Sequence, residues 1–309
     1  MILLERIRRE WIRVRKSVNI DGKDNMAKPN SWLNEFAGNV TSQHGENGII
    51  EKVLEVIGKN DKWCVEFGSW DGKRCSNSFD LIDSKGYSAV LIEGDCGRFR
   101  DLQNTFKGNT KVIPLNKFVG FQKEDGLDSI LKSTDIPVDF DLLSVDIDGN
   151  DYHVWQAVND YKPKIVVIEF NPTIPSTVEF VQPRDMSITQ GSSILSIAKL
   201  GKSKGYELVA CTKNNAIFVE AKYFKRFDIA DNSPMALRKD ESAITHIFCG
   251  YDGTVFIRGY GKSPWQSIAF KESKMQLLPK WARKRFGDRN VVRRKAGKIF
   301  RRLRKKNII

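Results

Sequence analysis

Five short apolar runs, each followed by a stretch with helical spacing, occupy residues 63–170 and limit what this chain can fold into. The runs are WCVEF (63–67), SAVLIEGD (88–95), KVIPL (111–115), DLLSVDID (141–148) and KIVVIEF (164–170). Helical segments are predicted between them, at about 77–85, 98–106, 126–133 and 152–158. Val- and Ile-rich strands alternating with helices imply a parallel sheet covered on both faces, with right-handed crossovers. A helix over GSSILSIAKLGKSKGY follows, then YELVACT and AIFVE joined by the turn residues Lys213, Asn214 and Asn215. That pair reads as an antiparallel hairpin closing the sheet. The expected fold is therefore α/β, Rossmann-like, mostly parallel with a terminal antiparallel β-hairpin.

In such a sheet, ligands bind beyond the carboxyl ends of the strands. The residues found there are acidic. The first strand runs into Glu66-Phe67-Gly68-Ser69-Trp70-Asp71-Gly72, where Gly68 allows close backbone approach and Gly72 suits a sharp turn. The second ends in Glu93, placed to accept hydrogen bonds from two ribose hydroxyls. The fourth ends Asp146-Ile147-Asp148-Gly149-Asn150-Asp151, and the fifth ends Glu169-Phe170-Asn171.

Two nucleotide chemistries compete for this pattern. A dinucleotide enzyme needs G-x-G-x-x-G to cradle a pyrophosphate. Here the loop has only Gly68 and Gly72, with Glu66 before it and Asp71 inside it. Carboxylates repel a pyrophosphate and suit the sulfonium and ammonium of S-adenosylmethionine. Five parallel strands closed by an antiparallel hairpin resemble a class I methyltransferase more than a dinucleotide fold.

The runs SQHGENG (42–48), VEFGSWDGK, LIEGD, LLSVDIDGNDYHVW and VVIEFNP resemble the FkbM-type S-adenosylmethionine-dependent methyltransferases over roughly residues 42–220. The most specific match is DIDGND, similar to the family's Asp-x-Glu-Gly-x-Glu block. Asp146 and Gly149 stand as in that pattern, and Asp148 and Asp151 replace its glutamates. The resemblance implies O-methylation of a sugar or polyketide hydroxyl. It implies that Gly68, Ser69 and Gly72 shape the cofactor loop, that Glu66 or Asp71 faces the methionyl ammonium, and that Glu93 holds the ribose. Asp95 or the 112–118 segment is expected near the adenine, and Asp146 and Asp148 below the transferred methyl.

A sugar hydroxyl must lose its proton as it attacks, and Asp148 or His153 is the expected base. A structural role for His153, one turn into a helix, is the alternative, and Asp151 can serve as a helix cap. Asp146 or Asp148, with Glu169 and Asn171, also places oxygen ligands at adjacent strand ends, a set that suits Mg²⁺. Binding to backbone or substrate is the reading preferred over a metal. Gln43, His44 and Glu46 are expected in a loop over the cofactor, and Trp70 in packing under a helix.

The charge is sorted along the chain. Residues 274–309 hold fifteen Lys/Arg against one acid, residues 1–28 hold eight against four, and the whole chain carries +13. The basicity thus belongs to the ends. Residues 1–16 have the spacing of a basic amphipathic helix, and part of 280–306 has the same character. An anionic membrane surface is the preferred partner of these ends; nucleic acid or no partner are the alternatives. Five scattered cysteines without a CxxC pair fit no disulfide framework or zinc site and match a reducing compartment. The expectation is a cytoplasmic protein, peripheral at the inner membrane surface.

Four segments are expected: a basic helix and linker (1–30), a cofactor-binding methyltransferase domain (31–225), a cap or extension (226–270) and a basic tail (271–309). The leading reading is an O-methyltransferase acting on a sugar or glycoconjugate. An RNA methyltransferase and a non-catalytic scaffold of the same fold are the alternatives.

Overall fold

The computed structural model describes residues 28–58, 60–283 and 290–306. The basic helix expected over residues 1–16 lies outside them. The main sheet has seven strands: β1 (Trp63–Phe67), β2 (Ser88–Glu93), β3 (Val112–Asn116), β4 (Leu142–Val145), β5 (Ile165–Glu169), β6 (Tyr206–Cys211) and β7 (Asn215–Glu220). Their order is β3-β2-β1-β4-β5-β7-β6. The first five are parallel, and β7 runs antiparallel between β5 and β6.

Helices α1 (Glu46–Ile57), α2 (Phe79–Asp83), α3 (Cys96–Thr105), α4 (Leu127–Leu131), α5 (Asp151–Ala157) and α6 (Ile194–Ser203) cover this sheet. Both faces are covered, so β1, β2, β4, β5 and β7 are buried almost without alternation. Close packing of α6 depends on Gly201. A Cβ there would lie 2.8 Å from the Phe218 ring and 3.0 Å from Trp155, whose own rings are 5.1 Å apart.

Two boundaries differ from the sequence expectation for reasons that bear on function. The helix predicted from Asn77 begins at Phe79, because Asn77 and Ser78 are held by the Glu66 carboxylate. The fourth strand ends at Val145, not Asp148, since Asp148 takes a left-handed backbone (φ +56°) that no strand accommodates.

The amino ends of the central strands carry a closed charge network. Asp141, fully buried before β4, accepts hydrogen bonds from the N–H groups of Asp61 (3.0 Å) and Lys62 (2.9 Å) and from Lys164 Nζ at 2.7 Å. Lys164 Nζ also pairs with Asp61. Burial acts to lower the Lys164 pKa, but the two carboxylates outweigh it and raise the pKa. A buried charge set is tolerable when it is satisfied in this way.

After β7 come two short helices, α7 (Ala221–Phe224) and α8 (Pro234–Leu237), then a separate hairpin of β8 (Thr245–Cys249) and β9 (Val255–Gly259). The outer edge of β9 is covered by side chains. Val255 N–H donates to Gln276 Oε1 (3.0 Å) and Gln276 Nε2 donates back to Val255 O (2.9 Å); Ile257 N–H donates to Glu272 (2.9 Å). Helix α9 (Val291–Lys305) packs near residues 280–282, with Trp281 edge-on to Phe300 at 6.2 Å. These contacts cross the boundary expected at residue 270. No helix among the described residues is long and apolar enough to cross a membrane.

Candidate functional site

A cavity of about 670 Å³ opens at the carboxyl ends of β1, β2, β4 and β5. Its first wall is the loop after β1. Gly68 (φ +71°) is required here by the neighbouring strand end, since a Cβ would lie 2.0 Å from Asp146 O. Ser69 is pinned to β2 and β1: its N–H donates to Ile92 O at 3.3 Å and its Oγ to Glu66 O at 2.7 Å. Trp70 has φ +48°, and the guanidinium groups of Arg74 and Arg98 lie over its ring at 4.8 and 4.7 Å. It lines the cavity.

Of the two acids expected opposite an ammonium, Glu66 lines the cavity and Asp71 does not, and both accept hydrogen bonds from their own loop. Glu66 accepts hydrogen bonds from Ser76 Oγ (2.5 Å), Ser78 Oγ (2.6 Å) and Asn77 N–H (2.8 Å), so it holds the chain leading into α2. Asp71 accepts from the N–H groups of Lys73 (3.0 Å) and Arg74 (2.7 Å) and lies outside the cavity lining. Gly72 is also off the cavity. A Cβ there would meet Leu102 and Phe106 of the α3 region at 2.5 Å.

The buried Glu93 carboxylate lines the cavity between two backbone donors, Trp70 N–H and Asp95 N–H, each at 2.8 Å. It thereby ties the β1 loop to the end of β2. Each of its oxygens keeps further accepting capacity for a diol. Asp95 caps α3 through the N–H groups of Gly97 and Arg98. Beyond β3, Phe118 is 75% exposed and its ring covers Gly94, at the adenine end expected for residues 112–118.

The floor is a set of carboxylates. Oxygens of Asp146, Asp148 and Glu169 lie within 4.8 Å of one another. Burial, then the charges of Asp151, Asp148 and Glu66, push the Asp146 carboxyl up to about 8. Glu169 is raised by burial and then by Asp146 and Asp151, with Asn214 Nδ2 donating to it at 3.0 Å. Asp151 is raised to about 6 by burial, against the N–H groups of Ile147 and Gly149 that donate to it at 2.9 Å. It fixes the turn that carries Asp148. Three clustered acids with no cation among them fit a positively charged ligand, either a sulfonium and ammonium or a hard divalent ion.

Two expected residues are elsewhere. Asn171 turns away from the acids: its Nδ2 donates to Gln190 O (2.7 Å) and its Oδ1 accepts from Thr173 N–H (2.9 Å) and Oγ1 (2.7 Å). The cluster therefore joins both aspartates, Asp146 and Asp148, to Glu169 and leaves Asn171 out of it. His153 is buried away from the cavity, its Nε2 donating to Gln182 O at 2.8 Å and its ring edge-on to Phe121 and Tyr152. It supports the 171–190 connection.

That connection is well tied. Gln182 Oε1 accepts from Gln190 N–H (2.9 Å) and Gly191 N–H (2.8 Å), and its Nε2 donates to Ile188 O (3.0 Å). Its Met186 and Thr189 line the main cavity. A second chamber of about 300 Å³ shares Asp148, Glu169, Pro172, Thr189 and Trp265 with the first. Trp265 is 71% exposed and comes from the segment after β9. No periodicity or motif in the sequence signals its arrival there, nor that of the cavity cations Arg74, Arg98 and Lys213.

The loop before α1 forms the roof, with Gln43 and His44 in the lining. Glu46 lies fully buried behind it. Its Oε2 accepts from His44 N–H at 2.8 Å, and its Oε1 from Thr212 Oγ1 at 2.6 Å and Asn215 Nδ2 at 3.2 Å.

The strand order and the antiparallel β7 make this an α/β sheet of the class I methyltransferase type. No protein-family model matches the chain, and neither does any curated protein. Among solved structures, a putative O-methyltransferase from Klebsiella pneumoniae is similar at 13% identity, over 65% of this chain and 92% of that one, with a TM-score of 0.41. The N-terminal domain of EvdMO1, crystallised in the presence of SAH and D-fucose, is 12% identical over 57% of this chain and 82% of that one (TM-score 0.38). M. jannaschii TYW2 in complex with AdoMet is 14% identical over 60% and 80% (TM-score 0.33). These are distant likenesses.

Proposed function

We propose that this protein is an S-adenosylmethionine-dependent methyltransferase of the FkbM type that methylates a hydroxyl of a sugar or glycoconjugate. The observation that carries the reading is the carboxylate cluster of Asp146, Asp148 and Glu169, which pairs with no Lys or Arg among the described residues and is set in a cavity at the strand ends of a class I methyltransferase-like sheet. The cofactor supplies an electrophilic methyl on a sulfonium, so its own positive charge suits this cluster.

In this reading Glu93 accepts from the ribose hydroxyls, Phe118 offers a face to the adenine, and the Gly68–Trp70 backbone borders the methionyl part. Arg74, which lines the same cavity, suits the carboxylate of that part. Asp146 and Glu169 supply negative charge beside the sulfonium, in place of the roles expected of Glu66 and Asp71. Asp148 takes the proton from the attacking hydroxyl. It is the acid whose side chain is exposed and shared by both chambers, and its left-handed backbone points it there at some conformational cost. His153 orients the wall, not the reaction. The smaller chamber, walled by Pro172, Thr189, Gln190 and Trp265, suits a sugar ring, with an aromatic face and polar edges. Alignment of hydroxyl and methyl accounts for much of the expected acceleration.

Isothermal calorimetry with S-adenosylmethionine tests the first half: micromolar binding is expected, weakened at least tenfold by Glu93→Gln. Transfer of labelled methyl to glycoconjugate extracts, and not to total RNA, tests the second. Absence of cofactor binding at millimolar concentration would leave the scaffold alternative standing.

A further inference from the structure

We infer that the unit built from β8, β9, residues 270–283 and α9 is a docking surface for an anionic lipid bilayer. Residues 242–309 hold eighteen Lys/Arg against three acids, while the chain as a whole carries +13, so the rest of the protein is slightly negative. A partner that suits this unit is anionic.

Charge alone would leave nucleic acid equally suited. The exposed apolar side chains decide between them. Tyr251, at the β8–β9 turn, is 98% exposed; Trp281 is 58%, Val292 76% and Ile299 57% exposed, and Ile247 and Phe248 on β8 are exposed as well. These are not loose ends. Trp281 is packed edge-on against Phe300 and still shows half its surface, and Gln276 and Glu272 fasten β9 to the segment that carries it.

On α9 and the residue after it, the positions Val292, Lys295, Ile299, Arg302 and Lys306 follow one another at spacings of three and four. All five are exposed, while Gly297 is buried and Ala296, Phe300 and Leu303 are half-buried. The helix thus turns one apolar stripe inward and shows a second, in which aliphatic residues alternate with long cations. The exposed rings of Phe248, Tyr251 and Trp281 would suit bases as well as a bilayer, but the aliphatic side chains interleaved with cations on α9 do not stack on bases. Acyl chains beneath anionic headgroups take both components at once, with Lys and Arg reaching back to the phosphates.

A second copy of the chain fits less well. The open edge of β8 invites strand pairing, but two such units would bring together matching positive charge. The same segment lends Pro264, Trp265 and Gln266 to the smaller chamber. Docking would therefore set that chamber beside the lipid surface, and under the methyltransferase reading, on which this last step rests, the acceptor would be a membrane-anchored glycan.

Flotation of the full-length protein with vesicles is the test, since it needs neither cofactor nor acceptor. The protein is expected to float with phosphatidylcholine vesicles containing about 40% phosphatidylglycerol and to stay down with phosphatidylcholine alone. Val292→Ser/Ile299→Ser, which leaves the charge unchanged and alters exposed positions, is expected to cut the floated fraction at least fivefold with an unchanged melting temperature. Equal flotation of the double variant would overturn the inference, because electrostatics alone would then account for binding. So would flotation with neutral vesicles, retention by single-stranded RNA without flotation, or dimerisation without flotation. Calorimetry of S-adenosylmethionine binding on the same sample reports on the enzymatic reading separately.

Discussion

Glu46 and Thr212, 166 positions apart in the chain, share a 2.6 Å hydrogen bond between carboxylate and hydroxyl, fully buried behind the cavity roof. The same carboxylate holds His44 N–H and Asn215 Nδ2, so one side chain fixes the roof loop to the β6–β7 hairpin. Glu46→Ala would take this acceptor from three donors, two of them in buried bonds. It is expected to cost about 2–4 kcal/mol in urea unfolding, and Glu46→Gln about 1 kcal/mol. In the surviving Glu46→Gln protein, kcat/KM for the acceptor should fall more than stability does, because His44 loses its anchor. Equal stability of Glu46→Ala and wild type would remove Glu46 from this role.

Asp146 gives a pH dependence of defined sign. Its carboxyl is raised from 3.8 to about 8, so between these values the folded protein holds more protons than the unfolded chain. Stability of the ligand-free protein therefore falls as pH rises through that window. Asp146→Asn should raise the melting temperature at pH 8.5 by about 3–6 °C and change it much less at pH 5. The same substitution should weaken S-adenosylmethionine at least tenfold, the familiar trade between stability and a strained site. A less stable variant at pH 8.5 would contradict this account.

Phe118 is mostly exposed, so its loss should not disturb the core. Phe118→Ala is expected to reduce cofactor affinity about tenfold, the scale of one base–aromatic stack, with the melting temperature shifted by no more than about 2 °C. Calorimetry and a thermal scan on one preparation decide it. Unchanged affinity would place the adenine elsewhere.

Trp265 reaches both chambers from the segment after β9. Trp265→Ala is expected to raise the acceptor KM about tenfold, or about 1.4 kcal/mol, while the Kd of S-adenosylmethionine stays the same. A change in the cofactor Kd instead would assign the ring to the wrong ligand.

The acid trio also bears on metal dependence. With the cofactor's own positive charge beside Asp146, methyl transfer is expected to survive exhaustive EDTA treatment. Loss of activity restored by Mg²⁺ would give Asp146, Asp148 and Glu169 to a metal instead.

Much of the fold was legible because each strand of the sheet is a short buried run with its own period, and β5, β6 and β7 announce the reversal through the turn at Lys213–Asn215. The acids at the strand ends were legible as residues but not as roles. Glu66 and Glu93 look alike in sequence and both line the cavity; only the fold reveals that three donors from Ser76, Asn77 and Ser78 hold the first, while two backbone N–H groups hold the second. His153 and Asp148 are five positions apart, and the left-handed turn at Asp148 sends one to the cavity and leaves the other under Gln182. Trp265 was invisible because nothing local encodes a contact made across a hundred residues. Tertiary placement, not pattern, sorted these.

The sheet keeps its charges differently at its two ends. At the amino ends Asp141, Lys164 and Asp61 are mutually satisfied; at the carboxyl ends Asp146, Asp148 and Glu169 are not. A library of random variants should therefore divide cleanly between two assays. Changes at the first end will be seen as lower abundance in cells, with each surviving molecule working normally. Changes at the second will leave abundance level or higher and be seen only in turnover per molecule. Lineages under weak selection would lose the second end first, and would leave behind sturdy, silent copies of the same fold.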